Sequence, residues 1–226
     1  ASLVDCYRIT AWDAPGYGLS DLVETDVEVY AEILNEFTKS IGIDRIILLG
    51  HSMGGIISGN FSGRYPKRVR GLALSCTFLG RKQPKDQSLD QKYLARLKQL
   101  DELSPIEYGR IRAKTMTAPG CDPTILEHFA RIAAETKKEG LAAAIRVVSE
   151  ADNQAKFANL NMPVLVIAGA LDQTVTRELT EDMIGAVPDS VPALIVNYLP
   201  RVAHAPYMED PETYNTVIQE FFSTLR

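Results

Sequence analysis

Apolar residues recur along this chain in two rhythms. Val27, Tyr30, Ile33, Leu34 and Phe37 fall three and four apart, which predicts a helix over Val23–Ile41, closed by Gly42. Arg45–Gly50 is instead an unbroken apolar run, the pattern of a strand covered on both faces. Cys6–Trp12 reads as a shorter strand, stopped by Asp13-Ala14-Pro15-Gly16. Gly54–Tyr65 reads as a helix ended by Pro66, and Val69–Cys76 as a further strand. Near the C-terminus the alternation resumes: strand Pro163–Gly169, helix Thr176–Ala186, strand Ala193–Tyr198, then an amphipathic helix over Pro211–Leu225. Alternating strands and helices predict an α/β fold, a mostly parallel sheet with helices on both faces.

Between these two stretches the rhythm is helical throughout. Leu89–Leu103, Pro105–Met116, Pro123–Lys138 and Leu141–Phe157 carry helical spacing with no strand among them. The expected organisation is therefore a core over 1–78, a helical lid over 79–160, and the rest of the core over 161–226. Charge follows this division. Residues 79–160 hold 14 Lys and Arg against 11 Asp and Glu, a local +3, while the remainder carries −8 of the overall −5. A mildly basic lid over an acidic body could favour an anionic substrate, but the expected reading is a solvated helix surface, since exposed helices often carry an excess of one sign.

Composition narrows the function classes. With 226 residues, 46% hydrophobic and 23% charged, the chain is neither disordered nor a stapled miniprotein. The lack of a basic excess argues against a nucleic-acid partner. Apolar stretches such as Val164–Leu171 fall far short of the roughly 20 residues that span a bilayer, so no membrane partner is expected. Cys6, Cys76 and Cys121 lie far apart, with no C-x-x-C pair. That suggests neither a metal site nor a disulfide framework, and fits free thiols in a cytoplasmic setting.

Gly50-His51-Ser52-Met53-Gly54 fits G-x-S-x-G, and its context gives it meaning. An apolar strand runs into it and a helix starts out of it, the setting in which a serine is forced onto a sharp turn with its hydroxyl exposed. Flanking glycines are expected because side chains there would meet the tight backbone. The bland alternative is a serine that merely caps the helix. A nucleophilic serine needs a base. Of the three histidines, His51 adjoins Ser52 on the turn and its side chain should point elsewhere, and His128 lies among the inserted helices. His204 follows the last strand and shares the sheet edge where such loops gather, so it is the expected base. Asp172 follows the strand Pro163–Gly169 and is the expected acid to orient it, although a turn residue would also account for it. Met53 offers a backbone N–H as oxyanion donor.

On these residues the chain resembles the α/β-hydrolase family over nearly its whole length. Asp13-Ala14-Pro15-Gly16-Tyr17-Gly18-Leu19-Ser20 is similar to the family's D-x-x-G-x-G-x-S segment. Gly50–Gly54 is similar to its nucleophile elbow, Gly169–Val175 to its acid segment, and Ala203–Pro211 to its histidine loop with an E-x-P-like run. Pro200-Arg201-Val202-Ala203 replaces the usual G-x-G before the base. The resemblance also implies a hairpin and a third strand before Cys6–Trp12, ending in a His-Gly loop that supplies a second oxyanion amide. Only five residues precede Cys6, and the expectation is that the chain represents a longer enzyme incompletely.

The expected function is hydrolysis of a small-molecule carboxylic ester or lactone through an acyl-enzyme on Ser52, with no cofactor. The same three residues would also serve carbon–carbon bond hydrolysis, other acyl hydrolysis or acyl transfer. The alternative from another class is a non-catalytic ligand-binding protein on a hydrolase fold. Substrate identity and oligomeric state have no signature in the sequence.

Overall fold

The computed structural model describes residues 3–225. Its regular elements, in chain order, are α1 (Val27–Ser40), β1 (Ile46–His51), α2 (Met53–Arg64) and β2 (Val69–Ser75). Then come α3 (Gln91–Glu102), α4 (Pro105–Met116), α5 (Pro123–Ala133), α6 (Lys138–Glu150) and α7 (Gln154–Phe157). The chain closes with β3 (Val164–Gly169), α8 (Arg177–Gly185), β4 (Leu194–Leu199), α9 (Pro206–Glu209) and α10 (Pro211–Ser223).

The four strands form one parallel sheet in the order β1-β2-β3-β4. Alternate residues face opposite sides, as the pleat requires. Leu72, Leu74, Val164 and Val166 join a core cluster with Tyr30 and Leu34 of α1, Ile56 and Phe61 of α2 and Met183 of α8. Ala73, Leu165 and Ile167 face the other way, onto Tyr214, Ile218, Phe221 and Phe222 of α10. Helices thus cover both faces, as the unbroken apolar strands require.

The segment Cys6–Trp12, expected as a strand, is not one. Residues 8–12 carry no regular structure, and β1 is an edge strand with Leu49 42% exposed. A strand is held by a ladder with its neighbour, and this segment has none. It is held by its aromatic side chains instead. Tyr7 packs edge-on against Phe222 at 5.3 Å and donates its hydroxyl to the Phe222 carbonyl at 2.9 Å. Trp12 stacks on Phe37 at 6.1 Å. Tyr7 therefore joins the α10 face and Trp12 the α1 face, and the segment passes from one to the other without pairing.

The expected helix Leu141–Phe157 is two helices, α6 and α7. The break is pinned by Asn153, which is fully buried. Its side-chain amide donates to the Ile56 carbonyl at 2.8 Å and accepts from Asn60 at 2.9 Å, tying the break to α2. The helices between β2 and β3 also build a small cluster of their own, with Tyr108, Leu141 and Ile145 buried among Tyr93, Leu97 and Leu100. Among the described residues, no helix is long and apolar enough to cross a membrane.

Candidate active site

Strand β1 delivers the chain into α2 through Ser52, which sits at φ 51°, ψ −122°. A positive φ is strained for a residue with a Cβ and persists only where the surroundings enforce it. They do so here. Ser52 N–H donates to the Ser75 carbonyl at 2.9 Å, and the Ser52 carbonyl accepts from Gly55 N–H at 2.9 Å and from the Thr77 hydroxyl at 2.7 Å. Ser52 occupies the N-cap position of α2, yet its hydroxyl caps nothing. It bonds His204 Nε2 at 3.0 Å.

The expectation about the flanking glycines needs correcting. A Cβ at Gly50 would lie 2.5 Å from the Gly54 carbonyl oxygen and 2.6 Å from Ser58 Oγ, and one at Gly55 2.4 Å from Thr77 Cγ2. One at Gly54 would meet nothing outside its own helix. The close approach is between Gly50 and the first turn of α2, and between Gly55 and Thr77. Gly54, although part of the motif, is sterically free.

His204 lies beyond β4 and is 1% exposed. Its Nδ1 meets Asp172 Oδ2 at 2.7 Å. Asp172 lies beyond β3 and is 6% exposed. Its other oxygen, Oδ1, accepts from Thr174 N–H at 2.7 Å and Val175 N–H at 3.0 Å. The turn reading and the pairing reading of Asp172 are therefore both true, one per oxygen. Two backbone amides hold one carboxylate oxygen, and the other meets the imidazole.

Met53 is the first residue of α2, and its N–H finds no acceptor among the described residues. The opening amides of a helix lack intrahelical partners and present positive charge, the requirement for holding an oxyanion.

His51 makes its side-chain hydrogen bond to Ser75, not to Ser52. Its Nδ1 lies 3.2 Å from Ser75 Oγ, and its ring packs 5.0 Å from both His204 and Tyr207. Burial, and then the charge that His204 would carry, push His51 down to about 3 from its ordinary 6.5, so it stays neutral. His128 is exposed on α5. Cys76 Sγ, the Asp172 carboxylate and a His204 nitrogen lie within 4.8 Å of one another, a set that could hold a metal ion. Burial pushes the Cys76 thiol up to about 12, however, and the imidazole and carboxylate are committed to each other.

Glu209 was not singled out from the sequence. Its Oε1 accepts from Ala203 N–H at 3.0 Å and Ala205 N–H at 3.1 Å, the residues on either side of His204. Its Oε2 accepts from Ala118 N–H at 2.6 Å, in the loop between α4 and α5. His204 N–H itself donates to the Met116 carbonyl at 3.0 Å. The histidine loop is thus tied to the end of α4 at two points, and Glu209 braces the loop internally at two more. The sequence signal was the acidic residue of the E-x-P-like run, with nothing to show that its partners are backbone amides.

Fold and site together define a class. The family model described as the α/β hydrolase fold matches residues 2–211, and the chain belongs to that family. It is similar to the pimeloyl-[acyl-carrier protein] methyl ester esterases of Shewanella woodyi and Aeromonas hydrophila. The first is 24% identical over 96% of this chain and 84% of that protein. The second is 26% identical over 97% and 87%. Among solved structures, an esterase from Exiguobacterium antarcticum superposes with a TM-score of 0.78 at 17% identity, over 92% of this chain and 78% of the other. The enol-lactonase from Burkholderia xenovorans does so with a TM-score of 0.78 at 18% identity, over 93% and 78%. The protein is an enzyme of the hydrolase class on the α/β fold.

Proposed function

We propose that this protein hydrolyses carboxylic esters or lactones of small molecules through an acyl-enzyme on Ser52. The observation that carries this reading is the continuous hydrogen-bonded line from Ser52 Oγ through His204 to Asp172, at 3.0 Å and 2.7 Å. His204 Nε2 takes the serine proton as Oγ attacks the ester carbonyl. The carbonyl oxygen becomes an oxyanion facing the Met53 N–H at the N-terminus of α2, where a prearranged donor is worth about 10²–10³ in rate. His204 returns the proton to the leaving alcohol. Water then attacks the acyl-enzyme by the same route. Asp172, fixed by Thr174 and Val175, holds the proton on Nδ1 so that Nε2 stays basic. Every step is carried by side chains and backbone, and the route calls for no cofactor. The helices of 79–160 act as the lid, and three cysteines without disulfide partners agree with a cytoplasmic setting.

A panel of short p-nitrophenyl esters tests the reading. The expected result is turnover with an initial burst of p-nitrophenol equal to the enzyme present. Saturable binding of the esters without turnover would instead place the protein among non-catalytic binders.

A further inference from the structure

Among the described residues several arginines meet a carboxylate, whereas Arg96 and Arg112, close enough for the charge of one to act on the other, do not. Arg64 pairs with Glu28 and Glu32, and Arg146 with Glu150 at 3.3 Å. Arg96 of α3 and Arg112 of α4 are half-buried, and among the described residues neither meets a carboxylate within ion-pair distance. Arg96 Nε donates to the Tyr108 hydroxyl at 3.1 Å. Arg112 Nη2 lies against Met116 Sδ at 2.9 Å, a weak acceptor for a guanidinium. Burial, and then the positive charge of Arg96, push Arg112 down to about 10. Two cations sharing one half-dry niche repel each other and lack the counter-charge that such burial ordinarily requires. Tyr17, from the loop after Asp13, stands in the same niche, where the charge of Arg96 acts on its buried phenol.

The niche is coupled to the reacting groups by α4. Tyr108, Arg112 and Met116 are four apart and so share one face of that helix. Met116 then accepts the His204 N–H through its carbonyl, and its sulfur accepts from the Thr174 hydroxyl at 3.6 Å. At 1.5 Å per residue, Arg112 stands roughly 6 Å along α4 from the residue that holds the histidine loop.

We propose that Arg96 and Arg112, with the Tyr108 hydroxyl between α3 and α4, form an anion subsite that holds a carboxylate or phosphate group carried by the substrate. The proposal rests on the esterase reading and narrows it to esters with a second, anionic end. A guanidinium fork matches both oxyanions, and Tyr108, already accepting from Arg96, has its own O–H left to donate.

The test compares monomethyl adipate with methyl hexanoate, which match in chain length and differ in the terminal carboxylate. The expected kcat/KM ratio favours the anionic ester at least tenfold in the native protein. It falls at least tenfold in Arg112→Gln and in Arg96→Gln, and Arg112→Lys recovers part of it. A ratio near one in the native protein, or the same ratio in all four, overturns the proposal. Inhibition of p-nitrophenyl acetate turnover by adipate and by inorganic phosphate distinguishes the two anions. Whichever competes more tightly is the class held, and no competition by either counts against the subsite. Should no ester turn over, titration calorimetry of adipate into native protein and Arg112→Gln still decides. Binding weakened at least tenfold in the variant keeps the subsite while the esterase reading fails, and unchanged or absent binding removes both.

Discussion

Asp172→Asn isolates the role of the buried carboxylate, because the substitution keeps its shape. The asparagine carbonyl oxygen can stay where Oδ1 is, accepting from Thr174 and Val175 N–H, so the loop beyond β3 is retained. The amide nitrogen then takes the place of Oδ2, 2.7 Å from His204 Nδ1. That nitrogen donates only, so Nδ1 must become the acceptor and the ring proton moves to Nε2. Nε2–H now faces Ser52 Oγ and cannot take its proton. The wrong tautomer costs about 10⁴ in kcat, or about 5.4 kcal/mol of transition-state stabilisation. The assay is steady-state hydrolysis of p-nitrophenyl butyrate, with thermal unfolding to show that the fold survives. A kcat loss smaller than tenfold in a folded variant would refute the argument that Asp172 sets the tautomer of His204.

Other consequences can be checked separately. Glu209→Ala leaves the amides of Ala118, Ala203 and Ala205 without their acceptor. At about 1.5–3 kcal/mol per bond to a charged group, and about 2–4 °C per kcal/mol for a chain of this size, Tm should fall by at least about 8 °C in calorimetry. A change under 2 °C contradicts the clamp. Gly50→Ala forces a Cβ to 2.5 Å from the Gly54 carbonyl and should leave little folded protein in a soluble fraction, whereas Gly54→Ala should unfold within about 1 kcal/mol of native. Equal behaviour of the two removes the steric account of the turn. His51 binds its proton near 6.5 when unfolded and only near 3 in the fold, so between those values the unfolded state holds more protons. Stability should therefore fall as pH drops through that window, and His51→Asn should flatten the slope by up to about 1.4 kcal/mol per pH unit in urea titrations. Identical slopes contradict the burial of a neutral ring.

The elements that carry the site were legible because each is specified locally. The run Arg45–Gly50 and the helix after it leave Ser52 one place to be, and loops beyond parallel strands share an edge, which brought Asp172 and His204 to it. What was not legible depends on partners distant in sequence. Cys6–Trp12 has the composition of a strand, but a strand exists only with a ladder beside it, and the segment is spent on Tyr7 and Trp12 packing. The break at Asn153 depends on a carbonyl of α2. Glu209 bonds three backbone amides, which have no residue identity to read. Of the motif's glycines the packing requires Gly50 but not Gly54, and it requires Gly55, one residue outside the motif.

In the proposed reaction Ser52 is the nucleophile that His204 and Asp172 activate. The most direct measurement is labelling with a fluorophosphonate, followed by mass analysis of the peptide that carries the adduct. One adduct per chain is expected, on Ser52, lost in Ser52→Ala and slowed by orders of magnitude in His204→Ala. Labelling that persists in Ser52→Ala, or an adduct on any other residue of the native protein, would contradict this reading.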